Sequence, residues 1–177
     1  MTDSRSIDFD GLREAAEKQG WFLTTEKLGD QSGGGYAFVC MKTRVLEDFR
    51  AQIALTRGHA IAQEYWEKSA TLIRSLNKVL TPDSDELGVL KVAQQPDGRM
   101  KKEIKALTEC KHPNLVPIFT HAPGEDPNWY IMKFFSGGDL AHRRPDYTGK
   151  VVEVLRRIRE VAEALDVIHA KQLVHRD

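Results

Sequence analysis

Cysteine is scarce: Cys40 and Cys110 are the only two in 177 residues. They lie far apart in sequence and form no Cys-x-x-Cys pair, which argues against a disulfide framework or a thiolate zinc cluster. Long apolar runs are missing too. No stretch of 18 apolar residues occurs, and Met1-Thr2-Asp3-Ser4-Arg5-Ser6 leads into polar sequence, not into the apolar segment of a signal peptide. No membrane span is expected, and the cytoplasm is the expected location. Nor is either sign of charge in excess. Lysine and arginine total 26, aspartate and glutamate 26, so bulk charge gives no reason to expect a nucleic-acid or membrane-surface partner. Internal repeats and low-complexity tracts are also lacking.

What remains is ordinary globular material, 41% hydrophobic and of a length that suits one domain. Residues 1–20 are polar, with helical character around Leu12 to Lys18. Trp21-Phe22-Leu23-Thr24-Thr25 is aromatic and β-branched and reads as a strand. It runs into Gly29, Gly33, Gly34 and Gly35, after which Tyr36 to Met41 reads as a second strand, making a hairpin with a glycine-rich tip. Residues 43–86 read as helical, with Val45, Leu46, Phe49 and Ile53 on one face and Ile61, Tyr65, Leu72, Ile73, Leu76 and Leu80 continuing the spacing. Gly88 to Val92 is a short strand and Pro96-Asp97-Gly98 a turn. Met100, Ile104 and Leu107 stripe a helix that ends before His112-Pro113, because proline disfavours helix at the preceding residue. Leu115–Phe119 and Trp129–Phe135 read as strands. Val151, Val154, Leu155, Ile158, Val161, Ala162, Leu165 and Ile168 mark a final helix whose wide apolar face needs a partner layer.

Several residues in this frame carry chemistry. Glycines permit close backbone approach to phosphate oxygens, although a flexible hairpin turn uses the same residues. Lys91 sits in the apolar strand Val89-Leu90-Lys91-Val92, where an ammonium is costly unless an anion partners it or the strand lies at an edge facing water. Lys42, in Val39-Cys40-Met41-Lys42, has similar surroundings but follows the glycines too closely. Glu103 lies off the Met100/Ile104/Leu107 stripe, free either to face a cleft or to balance Lys101, Lys102 and Lys105 in water. The chain closes on Val174-His175-Arg176-Asp177.

In this order the segments resemble the amino-terminal lobe of a protein kinase of the eukaryotic serine/threonine type. The resemblance runs over residues 21–177 and is interrupted at 43–86. It rests on the glycine-rich hairpin, the lysine strand, the His112-Pro113-Asn114-Leu115-Val116 turn after the Glu103 helix, the Tyr130–Leu140 segment with Gly137-Gly138, and Ile168-His169 through His175-Arg176-Asp177. It implies an α+β fold: an antiparallel sheet with a C-helix, the first helices of the second lobe, and a helical insert between the second and third strands. The implied division is an extension at 1–20, the lobe at 21–135 with the insert at 43–86, and the hinge and partial second lobe at 136–177.

By that resemblance the ligand is ATP with Mg2+, and the reaction is phosphoryl transfer to a protein hydroxyl. Lys91 orients the phosphates and Glu103 holds Lys91. Gly29, Gly33, Gly34 and Gly35 cradle phosphate. The register of this loop stays open: with Val39 capping the adenine, the three glycine slots fall on Ser32, Gly34 and Ala37, whereas a longer loop puts Gly29 and Gly35 in the outer slots. Met132 is the gatekeeper, Lys133 and Phe134 offer backbone hydrogen bonds to adenine, and Asp139 lies near the ribose. Asp177 is the catalytic base and Arg176 a regulatory contact for a phosphorylated activation loop. The magnesium ligands fall beyond residue 177, so the expectation is a truncated kinase that is inactive alone, with a protein partner at the 43–86 insert or on the uncovered face of the last helix. Two alternatives stand beside it: a non-catalytic nucleotide- or partner-binding module, and a small-molecule phosphotransferase, against which Arg176 argues because those enzymes tend to carry His-Gly-Asp.

Overall fold

In the computed structural model, residues 7–28, 35–57, 84–93, 98–125, 127–141 and 143–174 are described. Five strands form one antiparallel sheet: β1 (Trp21–Lys27), β2 (Gly35–Lys42), β3 (Leu87–Ala93), β4 (Ile118–His121) and β5 (Trp129–Lys133), in the order β1-β2-β3-β5-β4. Alternation of side chains along each strand gives the sheet two distinct faces.

One face carries Trp21, Leu23, Phe38, Leu90, Trp129 and Ile131, and helix α1 (Phe9–Glu17) covers it with Leu12 and Ala16. The Asp8 side chain caps this helix by accepting the Gly11 N–H at 3.0 Å. Phe9 meets Phe38 edge to face, with ring centroids 5.2 Å apart. The segment before Trp21 therefore contributes core to the sheet.

The other face is shared by two helices. Helix α2 (Thr43–Arg57) follows β2 directly and packs Leu46, Val45 and Phe49 against Val39, Met41 and Leu87. Helix α3 (Arg99–Glu109) lays Met100 and Ile104 against Tyr130, with Ile118 and Met132 alongside. The expected helix between the second and third strands is thus present over 43–57; Ile61, Tyr65, Leu72, Ile73, Leu76 and Leu80 lie outside the described residues. Both ends of this insert meet at the sheet, where the Lys42 N–H donates to the Glu86 carbonyl at 3.0 Å and Arg44 pairs with Glu86. An insertion whose ends already touch leaves the β2–β3 pairing intact.

Two boundaries move. The fourth strand starts at Ile118, not at Leu115 as the apolar run suggested. Leu115 belongs to a turn that donates its N–H to the His112 carbonyl, and Pro117, just before the strand, has no N–H to donate to a ladder. The fifth strand ends at Lys133, two residues earlier than expected.

Beyond the sheet come a short helix α4 (Arg144–Tyr147) and the long helix α5 (Val151–Ala170). Asn114 donates from Nδ2 to the Glu160 carbonyl at 3.0 Å and so ties the turn after α3 to α5. Along α5, Ala164 is buried, whereas Val151, Leu155, Ile158 and Val161 are more than half exposed. The wide apolar stripe expected from the sequence is largely uncovered. Among the described residues, no helix is long and apolar enough to cross a membrane.

Candidate active site

Alternation along β3 decides where Lys91 points. Leu90 and Val92 turn toward α1, which leaves Lys91 on the opposite face, the one that α2 and α3 share. On α3, Met100 and Ile104 anchor the buried stripe, and Glu103 stands one residue off it, above the sheet. The two side chains meet: Lys91 Nζ lies 2.7 Å from Glu103 Oε1. Both side chains keep 38% of their accessible surface, so the pair is open to an incoming ligand and only partly screened by protein. Such a pair adds little to stability, and its geometry is better read as chemistry.

A third group joins them that sequence reasoning did not assign. Tyr130 is the direct cross-strand partner of Lys91 on β5. Its hydroxyl donates to the same Glu103 Oε1 at 2.8 Å, and Lys91 Nζ lies 5.8 Å from the centre of its ring. Tyr130 is 1% exposed. Burial, then the charge of Glu103 and the hydrogen bond to it, push ionisation of the phenol above its ordinary range, so it remains a donor. The available signal was positional: once β3 and β5 pair antiparallel, some β5 residue must stand opposite Lys91.

Lys42, the rival lysine, points the other way. It pairs with Trp21 at the start of β1, and its ammonium lies 5.9 Å from the Trp21 ring.

The β2 residue opposite Lys91 is Ala37; Val39 lies two positions further along, opposite Val89. Val39 has no exposed surface and packs among Met41, Leu46 and Leu87. Val39 and Ala37 both stand on the face of the sheet that holds Lys91, with Ala37 the nearer of the two. Gly35 opens β2, where a Cβ would meet the Val92 carbonyl oxygen at 2.7 Å. Close approach of β3 thus requires glycine there whatever the loop binds. Gly29, Gly33 and Gly34 lie outside the described residues, as do Arg176 and Asp177.

Met132 pairs with Val89 and Ile118 and leans on the α3 cluster. Lys133 donates its N–H to the Pro117 carbonyl at 3.1 Å, and Phe134 donates to the Leu87 carbonyl at 3.3 Å. Both N–H groups are thus used within the protein. The Lys133 side chain, 15% exposed, pairs with Asp85 at 3.1 Å, and Phe134 packs beside α2. Asp139 is exposed in the segment after β5, where its carbonyl accepts the Arg143 N–H at 3.2 Å. No group of three or more potential metal-ligating side chains occurs among the described residues.

A glycine-led hairpin over a lysine strand, with the lysine ion-paired to a helix glutamate, defines the amino-terminal lobe of a protein kinase. The comparison with known families agrees: residues 87–177 match the model of the protein tyrosine and serine/threonine kinase family, and the chain belongs to that family. Among its relatives is the serine/threonine-protein kinase pak-2 of Caenorhabditis elegans, 31% identical over 84 residues, which is 48% of this chain and 16% of the relative. Human mitogen-activated protein kinase kinase kinase kinase 3 is 31% identical over 109 residues, 56% of this chain and 12% of that protein. Human serine/threonine-protein kinase ULK1 is 30% identical over 79 residues, 43% of this chain and 7% of that protein. The match spans less than a fifth of each of these relatives.

Proposed function

We propose that this chain carries the ATP-facing part of a protein kinase that phosphorylates serine or threonine on a protein substrate. The observation that carries the reading is the Lys91–Glu103 pair at 2.7 Å, projecting from β3 and α3 on the face that Gly35 and Ala37 of β2 share. Lys91 would contact the α- and β-phosphates, and Gly29, Gly33 and Gly34 would supply backbone N–H groups to phosphate oxygens. The base would lie near Val39, Ala37, Val89 and Met132. Lys133 and Phe134 would offer backbone hydrogen bonds to adenine, and Asp139 would sit near the ribose. The substrate hydroxyl oxygen would attack the γ-phosphorus, its proton passing to Asp177 while the bond to the β-phosphate oxygen breaks and ADP leaves. Arg176 would pair with a phosphorylated activation loop. Magnesium, when bound, neutralises phosphate charge; no described residue is assigned to it. The serine/threonine preference follows the names of pak-2 and ULK1. The proposed organisation is an extension at 1–20, a lobe at 21–135 and a second-lobe segment from 136, with α1 docked on the lobe.

Titration of the purified chain with Mg-AMP-PNP, followed by calorimetry, tests the nucleotide step. Lys91→Ala should weaken binding at least several-fold; equal affinity in both proteins would remove the basis of the proposal. Phosphorylation of a protein substrate that is lost in Asp177→Asn tests the transfer step.

The uncovered apolar face of α5 favours a second reading, a nucleotide- or partner-binding module without catalysis. Nucleotide binding with no phosphoryl transfer under any substrate would support it.

A further inference from the structure

Of the three groups that meet at Glu103 Oε1, two are loosely held. The Lys91 and Glu103 side chains each keep 38% of their surface, and both are long chains with several rotatable bonds. Tyr130 differs. It is 1% exposed, fixed in register with Lys91 across β3 and β5, and packed against Met100 and Ile104 of α3. Its hydroxyl reaches Glu103 Oε1 at 2.8 Å, and Lys91 Nζ reaches the same oxygen at 2.7 Å. The carboxylate oxygen that holds the lysine is thus itself held by a rigid phenol rooted in the sheet.

We propose that Tyr130 is a positioning residue: its hydroxyl pins Glu103 and, through Glu103, presents the Lys91 ammonium to the phosphates of a bound nucleotide. The inference rests on the nucleotide reading given above. It differs from plain core filling in one respect. The ring alone would serve to pack against Met100 and Ile104, and a phenylalanine would do that equally well. A buried hydroxyl has to find a partner, and here the partner is the carboxylate that holds Lys91. The phenol keeps its proton at neutral pH, and burial and the neighbouring Glu103 raise its ionisation further above the ordinary value of 10.0.

The test uses the 177-residue chain, with Mg-AMP-PNP and adenosine as probes in calorimetry. Tyr130→Phe should weaken Mg-AMP-PNP binding roughly three- to tenfold, the effect of one lost hydrogen bond, and leave adenosine binding unchanged. In a Glu103→Ala background the same substitution should cause no further loss, since the tether then has nothing to hold. Glu103→Asp, which keeps the charge but draws the carboxylate back by one methylene, should reproduce the split between the two ligands. Equal weakening of both ligands, or an undiminished effect of Tyr130→Phe without Glu103, would overturn the proposal. If the unmodified chain binds neither probe, the nucleotide reading fails by itself. The tether is then decided by the 13C resonance of the Glu103 carboxyl group: a shift on Tyr130→Phe supports it, and an unmoved resonance sinks it.

Discussion

Gly88 offers the sharpest test of how the sheet is built. It lies in β3 between Cys40 on β2 and Lys133 on β5. A methyl group placed on it would meet Ile131 Cγ2 at 2.7 Å, Cys40 Sγ at 3.0 Å and Trp21 Cζ3 at 3.0 Å. Ile131 and Cys40 have no exposed surface and Trp21 has 4%, so none of the three can swing out into solvent. Overpacking of this kind costs about 1–3 kcal/mol. Replacing glycine by alanine also narrows the unfolded ensemble, which returns about 0.4–1 kcal/mol. The clash wins, and Gly88→Ala should lose about 0.5–2 kcal/mol. With a urea m-value of roughly 2 kcal/mol/M, the unfolding midpoint should fall by about 0.25–1 M. Trp21 and Trp129, both buried in the same layer, make tryptophan fluorescence a suitable signal. Cys40→Ala removes one of the three obstructing atoms, so the double variant should be more stable than the sum of the two single losses predicts. A midpoint that is unchanged or raised in Gly88→Ala would refute the packing argument.

Two further outcomes are expected. Leu46 is 2% exposed and anchors α2 on the sheet; Leu46→Ala should destabilise the chain by about 2–3 kcal/mol in urea unfolding, the lower part of the range for buried leucine because its neighbours Val45 and Phe49 are only partly buried. A loss below about 0.5 kcal/mol would mean that α2 is not seated there. Alkaline pH gives the second. Burial raises the Cys40 thiol above its ordinary 9.0, and burial followed by Glu103 raises the Tyr130 phenol above its ordinary 10.0. The folded chain therefore binds more protons than the unfolded chain above those values. The stability these groups contribute is complete below about pH 9 and falls as pH rises, by about 1.4 kcal/mol per pH unit for the thiol and as much again once the phenol's ordinary value is passed. Urea midpoints measured from about pH 8 to 11 should show this decline, and Tyr130→Phe should remove the second part of it.

The sheet was legible because its strands alternate or run apolar between turn residues, and the Lys91–Glu103 meeting was legible because Glu103 falls off its helix stripe while Lys91 interrupts an apolar strand. Both signals are local and periodic. What the sequence hid depends on register and on contacts distant in sequence. Tyr130 reads as one more aromatic in a strand until β3 and β5 are aligned and it stands opposite Lys91. Residues 1–20 read as polar extension, because only Leu12 and Ala16 of α1 are buried and two such residues make a weak pattern. Gly88 looks like a strand-weakening residue until Ile131, Cys40 and Trp21 are seen to fill its side-chain volume.

Val39 shows how register places a motif residue. Valine after a glycine loop invites the role of adenine cap, and the sequence supplies Val39 where the spacing almost fits. The pairing of Ala37 with Lys91 makes Ala37 the residue beside the ammonium, and that two-residue offset keeps Val39 on the same face but moves it toward the Leu87 end of β3. That end is where the insert leaves β2, so Val45, Leu46 and Phe49 meet Val39 there and not water. The start of the insert and the Lys91 end of β2 and β3 therefore lie on one sheet face, and a ligand seated against Ala37, Val89 and Met132 would lie alongside α2.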